Sequence, residues 1–330
     1  MRFRRLGRSG IEVSTVALGL WSIVRDQTWG PDQSERDSVA AIQAALECGI
    51  TFFDTAEAYG AGYSEAILGK TLGARRKEVI LATKASPSHQ SAEALVAACE
   101  RSLKRLRTDH IDLYILHWPS RQTPIEETMG AMEGLIRSGK VRAAGVSNFG
   151  AEDLSKVLRH GRVEANQLGY NLLFRAIEHE LAAACAANDV SITCYCPLAQ
   201  GLLTGKYLSE DTFPEGRART RHFSSQRKLS RHGEKGAEEE TFLALAEVRR
   251  IAREAGEPMG RMSLAWLLAQ KGITSVIAGA RNAEQVRENA AAAEVDLGQA
   301  TIQALARATD ALKEKLGPNP DLWESPSRIR

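Results

Sequence analysis

Cysteine pairs, net charge and long apolar runs are all in short supply in this sequence. Five cysteines, Cys48, Cys99, Cys185, Cys194 and Cys196, are spread over 330 residues. An odd number at such spacing is neither a disulfide framework nor a zinc motif. Small buried thiols are the plain reading. Cys194 and Cys196 flank Tyr195 on an expected strand, so alternation sets both sulfurs on the face opposite the phenol. The formal charge is only +2, and no basic run is interleaved with aromatics, which argues against nucleic acid as a partner. No apolar run reaches the ~20 residues of a membrane span, and the charged residues 1–7 lack the apolar core of a signal peptide. A cytoplasmic protein without a membrane partner is expected. Also missing is the G-x-G-x-x-G turn of a Rossmann domain, since Leu18-Gly19-Leu20-Trp21 follows the first apolar run instead.

What is present is an ordinary globular composition, 43% hydrophobic and 25% charged, with material for a large core. Short apolar runs alternate with amphipathic segments. After a hairpin at 1–12, strands are expected at 13–20, from 52, and at 79–83, 111–116, 141–146, 164–167, 191–195 and 274–277. Helices are expected at 34–47, 64–71, 92–106, 125–137, 151–159, 177–188, 238–254 and 283–293. Eight strand and helix pairs imply a parallel sheet covered by helices. A doubly wound open sheet concentrates its site at one switch point. Here polar residues recur at the C-terminal ends of many strands, which selects a closed barrel. Two segments break the rhythm. The connection 196–237 is far longer than the usual ~2–6 residues; its part 217–235, rich in Arg, His and Ser, reads as mobile. From 299, a helix to about 316 precedes a Gly-Pro-Asn-Pro tail, an extra packing helix and a loose end whose Trp323 can reach the barrel rim.

Three strand ends carry the chemistry. Phe53-Asp54-Thr55-Ala56 leads to Tyr59-Gly60, Thr83-Lys84 ends the next run, and Leu116-His117-Trp118-Pro119 the one after. A free phenol holds its proton far above neutral pH and needs a cation beside it to change that. Taken singly, Tyr59 is a loop aromatic, Lys84 a snorkelling lysine, Asp54 a turn residue and His117 a core histidine. The ordered set resembles the aldo-keto reductase superfamily over about residues 3–293. The long connection and Gly279-Ala280 are similar to its bacterial general-stress and potassium-channel beta-subunit-like branch.

The resemblance implies one (β/α)8 TIM barrel over 1–330, with an N-terminal β-hairpin, a cofactor-covering loop at 196–237 and a C-terminal helix and tail at 299–330. It implies NADPH (NADP+) as cofactor and reversible reduction of aldehydes or ketones to alcohols. Tyr59 is then the acid in reduction. Lys84 favours the phenolate, Asp54 holds Lys84, and His117 orients the carbonyl. By the same resemblance Ser147, Asn148 and Gln167 hold the nicotinamide carboxamide, and Tyr195 stacks on its ring. Pro197, Leu198, Gly201 and Lys206 follow the pyrophosphate. Gly279, Arg281, Gln285, Glu288 and Asn289 form the adenosine end, with Arg281 on a 2′-phosphate. Leu20 and Trp21 approach the cofactor, and Trp21, Trp29, Trp118 and Tyr63 line the substrate pocket. Many relatives carry Lys-Ser in place of Gly279-Ala280 and arginine in place of Gln285, so NADH stays open beside NADPH. The physiological carbonyl, the favoured direction and the oligomeric state are not fixed. A second class stays open too, a cofactor-binding regulatory or redox-sensing subunit like the potassium-channel beta subunits. The lack of an inactivating N-terminal extension favours a free-standing enzyme.

Overall fold

A computed structural model describes residues 1–330. The hairpin is β1 (Phe3–Arg5) with β2 (Glu12–Ser14), and the barrel begins only at β3 (Val16–Gly19). The expected strand 13–20 is thus divided, because Val13 and Ser14 pair back with the hairpin. The barrel continues with β4 (Phe52–Asp54), β5 (Ile80–Ala85), β6 (Ile111–Leu116), β7 (Val141–Ser147), β8 (Ala165–Gly169) and β9 (Ser191–Tyr195). After the two-residue β10 (Arg231–His232), β11 (Ile273–Gly279) completes it by pairing in parallel with both β9 and β3. The result is a closed eight-stranded parallel barrel, the (β/α)8 fold.

The outer layer consists of α1 (Glu35–Glu47), α2 (Tyr63–Leu72), α3 (Ala92–Leu106), α4 (Ile125–Arg137), α5 (Ala151–Leu158), α6 (Leu181–Ala187), α7 (Glu238–Glu254), α8 (Met259–Leu268) and α9 (Ala283–Ala291). Helix α10 (Gln299–Leu316) packs on α7. The eighth unit therefore has two helices before its strand, where one was expected. Ser34 caps α1 by accepting from the Asp37 N–H at 3.0 Å, and Asn282 caps α9 by accepting from the Gln285 N–H at 3.0 Å. Each cap satisfies an amide that the first helical turn leaves open.

Strand periodicity sorts the core into two parts. Val16, Leu18, Phe53, Tyr114 and Leu116 face outward into a large cluster shared with the helices. Ala17, Phe52, Ala82, Leu113, Ile115, Ala143, Ala165 and Ile277 face the lumen, and Leu6, Ile11 and Val13 of the hairpin segment join them to plug its N-terminal end. Continuing each lumen-facing row by two residues leads to Gly19, Asp54, Lys84, His117, Gly145, Gln167 and Gly279. The same alternation that packs the barrel floor thus aims polar side chains at its C-terminal mouth.

The long connection and the tail are folded on that mouth. Buried Arg221 donates to the Glu234 carboxylate and to the carbonyls of Leu316 and Asn319. Buried His222 bonds through Nε2 to the Leu173 carbonyl at 2.9 Å. Strand β10 pairs in parallel with β12 (Glu324–Ser325) of the tail. Asp321, fully buried, receives Arg328 at 2.8 Å. In place of a mobile 217–235 and a loose tail, the two segments are folded against each other through these bonds.

Candidate active site

Asp54 ends β4 and Lys84 lies near the end of β5, both sealed from solvent. The Lys84 Nζ donates to Asp54 Oδ1 at 2.6 Å, to the Thr55 carbonyl at 2.7 Å and to the Tyr59 hydroxyl at 3.4 Å. The second Asp54 oxygen accepts from Gln167 Nε2 at 2.8 Å, from the far side of the lumen. Three of Lys84's contacts thus occupy its three N–H bonds. Gly60, Ala61 and Gly62 all take positive φ, which reverses the chain between Tyr59 and α2 and leaves Tyr59 at the mouth. A Cβ on Gly60 would stand 3.1 Å from the Tyr63 side chain and 3.2 Å from Val24, so the reversal is tight as well as left-handed. The His117 ring meets Tyr59 edge-on at 5.8 Å, and Trp21 lies nearly parallel to Tyr59 at 6.2 Å.

Burial sets the charge states. The Tyr59 hydroxyl is pushed well above the ordinary phenol range, first by burial and then by the Asp54 charge. Burial lowers Lys84, while the Asp54 charge and hydrogen bond pull the other way. Tyr59 therefore rests as a protonated phenol, the form from which an acid donates. His117 is pushed down to about 3 by burial and by Lys84, so its imidazole is neutral around pH 7. A neutral phenol, a neutral imidazole and a saturated ion pair form a proton-donating mouth.

A cavity of about 880 Å³ runs from this group to the N-terminus of α9. Asp54, Tyr59 and His117 line it, with Lys84 hidden behind. Ser147, Asn148, Gln167, Tyr195, Pro197, Leu198, Gly201 and Lys206 line its middle, and Gly279, Arg281, Gln285, Glu288 and Asn289 its far part. Trp21, Trp29 and Trp118 line it too. Leu20 does not: it is sealed in the core, its N–H given to the Asp54 carbonyl and its carbonyl taken by Ser64. Tyr63 also lies outside the cavity lining, on the exposed first turn of α2. Cys196 departs from the expected alternation. With φ of 50° it has left the strand, and its thiol lines the cavity beside Tyr195.

The cavity end around Tyr195 is tightly pinned. The Tyr195 hydroxyl donates to Asn148 Oδ1 at 2.9 Å, and Asn148 Nδ2 donates to Ser147 Oγ at 2.9 Å and to the His117 carbonyl at 3.2 Å. Gly169 gives the Tyr195 ring its seat, since a Cβ there would stand 3.1 Å from it. At the other end the Arg281 guanidinium donates to Gln33 Oε1 and to the Trp29 carbonyl, both at 2.9 Å. The Gln285 Oε1 accepts from the Arg281 backbone N–H, and Glu288 pairs with Arg261 at 3.2 Å. Buried N–H groups of Trp29, Gln200, Arg219 and Arg261, all residues of the lining, have no partner. A site whose open valences are all donors suits an anionic ligand.

The Aldo/keto reductase family model matches residues 15–310. The chain belongs to the aldo/keto reductase family. It is 36% identical over 297 residues to the aldo-keto reductase YhdN of Bacillus subtilis, covering 87% of each chain. It is 31% identical to an NADH-specific methylglyoxal reductase of Escherichia coli, covering 93% of this chain and 98% of that one. A solved aldo/keto reductase from Klebsiella pneumoniae in complex with NADP and acetate superposes with a TM-score of 0.73 at 28% identity, covering 98% and 97% of the two chains. The protein is thus an NAD(P)H-dependent oxidoreductase of the aldo/keto reductase family.

Several residues lining this aldo/keto reductase cavity escape a reading of strand ends. Ser22 follows β3, Gln200, Arg217, Arg219 and Arg231 belong to the long connection, and Arg328 to the tail. The clustering of Arg217, Arg219 and Arg221 within five residues was the available signal there. Nothing local marks Arg328, whose place depends on Asp321 and on Trp118, over whose ring it sits at 3.7 Å. No helix is long and apolar enough to cross a membrane.

Proposed function

We propose that the protein reduces aldehydes or ketones to alcohols with NADPH, reversibly, with Tyr59 as the general acid. The observation that carries this is the Lys84 ammonium, locked by Asp54 at 2.6 Å and reaching the Tyr59 hydroxyl at 3.4 Å, at the head of a donor-lined cavity. Reduced nicotinamide, when bound, supplies the hydride. A proton must then reach the carbonyl oxygen as negative charge develops there. Protonated Tyr59 gives it, and the neutral imidazole of His117 offers an N–H to the same oxygen. Lys84 stands behind the phenol to stabilise it once the proton has left, and Asp54 keeps Lys84 charged and in place.

The cavity fits the cofactor by its donor set. Ser147, Asn148 and Gln167 suit an amide, and Tyr195, seated on Gly169, offers a flat wall to a ring. Pro197, Leu198, Gly201 and Lys206 suit the pyrophosphate. Arg281 stands ahead of the Asn282-capped helix α9 and suits a 2′-phosphate, with Gly279, Gln285, Glu288 and Asn289 around the adenosine. This supports NADPH over NADH. Trp21, Trp29 and Trp118 are assigned to the substrate.

Fluorescence titration with NADPH and NADH, followed by a panel of aldehydes and ketones, tests the reading. Tighter NADPH binding with turnover is expected. Tight binding without turnover of any carbonyl or alcohol would overturn it in favour of a regulatory subunit.

A further inference from the structure

Arg219 is the residue of the mouth that the proposed reaction leaves unused. Its guanidinium lies over two indoles, 5.0 Å from the Trp323 ring centre and 5.8 Å from that of Trp21. Trp21 in turn stacks on Tyr59, so one indole separates Arg219 from the catalytic phenol. Arg219 makes no ion pair and no side-chain hydrogen bond, and its Nε is buried without a partner. Burial and the neighbouring Arg231 both disfavour its charge. Arg231 lines the same cavity and is likewise free of any ion pair.

Apart from Asp26, the acids nearby are already neutralised. Asp54 is bound by Lys84, and Asp321 and Glu324 by Arg328. Asp26 acts on Arg219 only through space, its Oδ1 accepting from the Thr28 and Trp29 N–H groups. Arg217, by contrast, is committed to the Gln200 carbonyl and the Tyr207 hydroxyl, on the side of Gly201 and Lys206. Arg219, half-buried with a sealed Nε, has no carboxylate within ion-pair reach, and Arg231 stands exposed at the cavity rim, so an anion between them would supply a close counter-charge to both. The aromatic faces hold Arg219 in a fixed orientation, so a planar oxyanion meets a preset fork.

We propose that the preferred substrates are carbonyl compounds bearing an anionic group, a carboxylate or phosphate, which Arg219 receives with Arg231 while the carbonyl faces Tyr59. This rests on the reductase reading above and narrows it to a substrate class. The indoles of Trp21 and Trp323 then flank the carbon chain between the two ends.

The test compares matched pairs, 4-carboxybenzaldehyde with benzaldehyde and succinic semialdehyde with butanal, at saturating NADPH. Wild type is expected to favour the anionic member of each pair in kcat/KM. A charge-assisted hydrogen bond is worth ~1.5–3 kcal/mol, so Arg219→Gln should shrink that preference by about 10–100-fold, chiefly through KM, and Arg219→Lys should restore part of it. Wild-type turnover of neutral aldehydes with no anionic preference would overturn the proposal and leave the reductase reading standing. An equal loss on both members, or a loss of NADPH affinity in its place, would assign Arg219 to structure or to the cofactor and overturn it as well. No turnover of any of the four compounds would sink both readings.

Discussion

Replacing Lys84 with Met should be among the most destabilising single changes in this protein. Lys84 is fully buried, and its ammonium holds Asp54 at 2.6 Å and the Thr55 carbonyl at 2.7 Å. Removing it leaves a sealed carboxylate with only the Gln167 amide for company. Breaking a buried pair in this way costs about 3–5 kcal/mol, whereas neutralising both partners costs far less. At ~2 °C per kcal/mol for a chain of this length, thermal unfolding should move down by roughly 6–10 °C. The assay is a set of urea and thermal melts on Lys84→Met, Asp54→Asn and the double variant. Equal stability of Lys84→Met and wild type, or strict additivity of the two single changes, would refute the reasoning.

Three further outcomes follow from the same geometry. Tyr59→Phe should lower kcat for carbonyl reduction by about 10²–10⁴-fold, the usual worth of a positioned acid, while the NADPH Kd from fluorescence titration stays near wild type. Arg281→Ala should raise the Kd for NADPH by about 10–100-fold, as expected for the loss of a charge-assisted hydrogen bond, and that for NADH much less; equal losses would remove Arg281 from the 2′-phosphate. Burial pushes His222 down to about 4. A lowered folded value contributes stability that is present above the unfolded ~6.5 and lost as pH falls towards 4. Urea midpoints should thus drop between pH 6.5 and 4, with ~2–3 kcal/mol of that slope absent in His222→Gln, and an unchanged slope would exclude His222 as its source.

The strands and the meeting of Asp54, Tyr59, Lys84 and His117 at one mouth were legible because a closed parallel barrel turns sequence position into spatial position. β6, Ile111–Leu116, is buried throughout and reads as one apolar run, and the polar residue just past it has only the mouth to face. Helix α8 was missed for a physical reason. Seven of its ten residues are buried, so it lacks the contrast between faces that betrays a surface helix. The segment 217–235 failed in the opposite sense. Its Arg and His side chains look solvated by composition, yet Arg221 finds its acceptors at Leu316 and Asn319, which no local pattern brings near. Cys196 and Leu20 failed by register, one by leaving its strand through a positive φ and the other by turning inward where Trp21 turns out.

The bond from Gln167 to Asp54 has a mechanical meaning. β8 and β4 stand diametrically opposite in the barrel, with three strands between them on either side. The amide and the carboxylate, continued by Lys84 on β5, form a strut across the opening. Its length fixes the bore at the level of the reacting groups. Widening the mouth for a bulkier carbonyl by trimming wall residues would leave that bore unchanged. The indoles and the tail stand above the strut, and side chains can be exchanged there to reshape the pocket without altering the geometry of proton transfer.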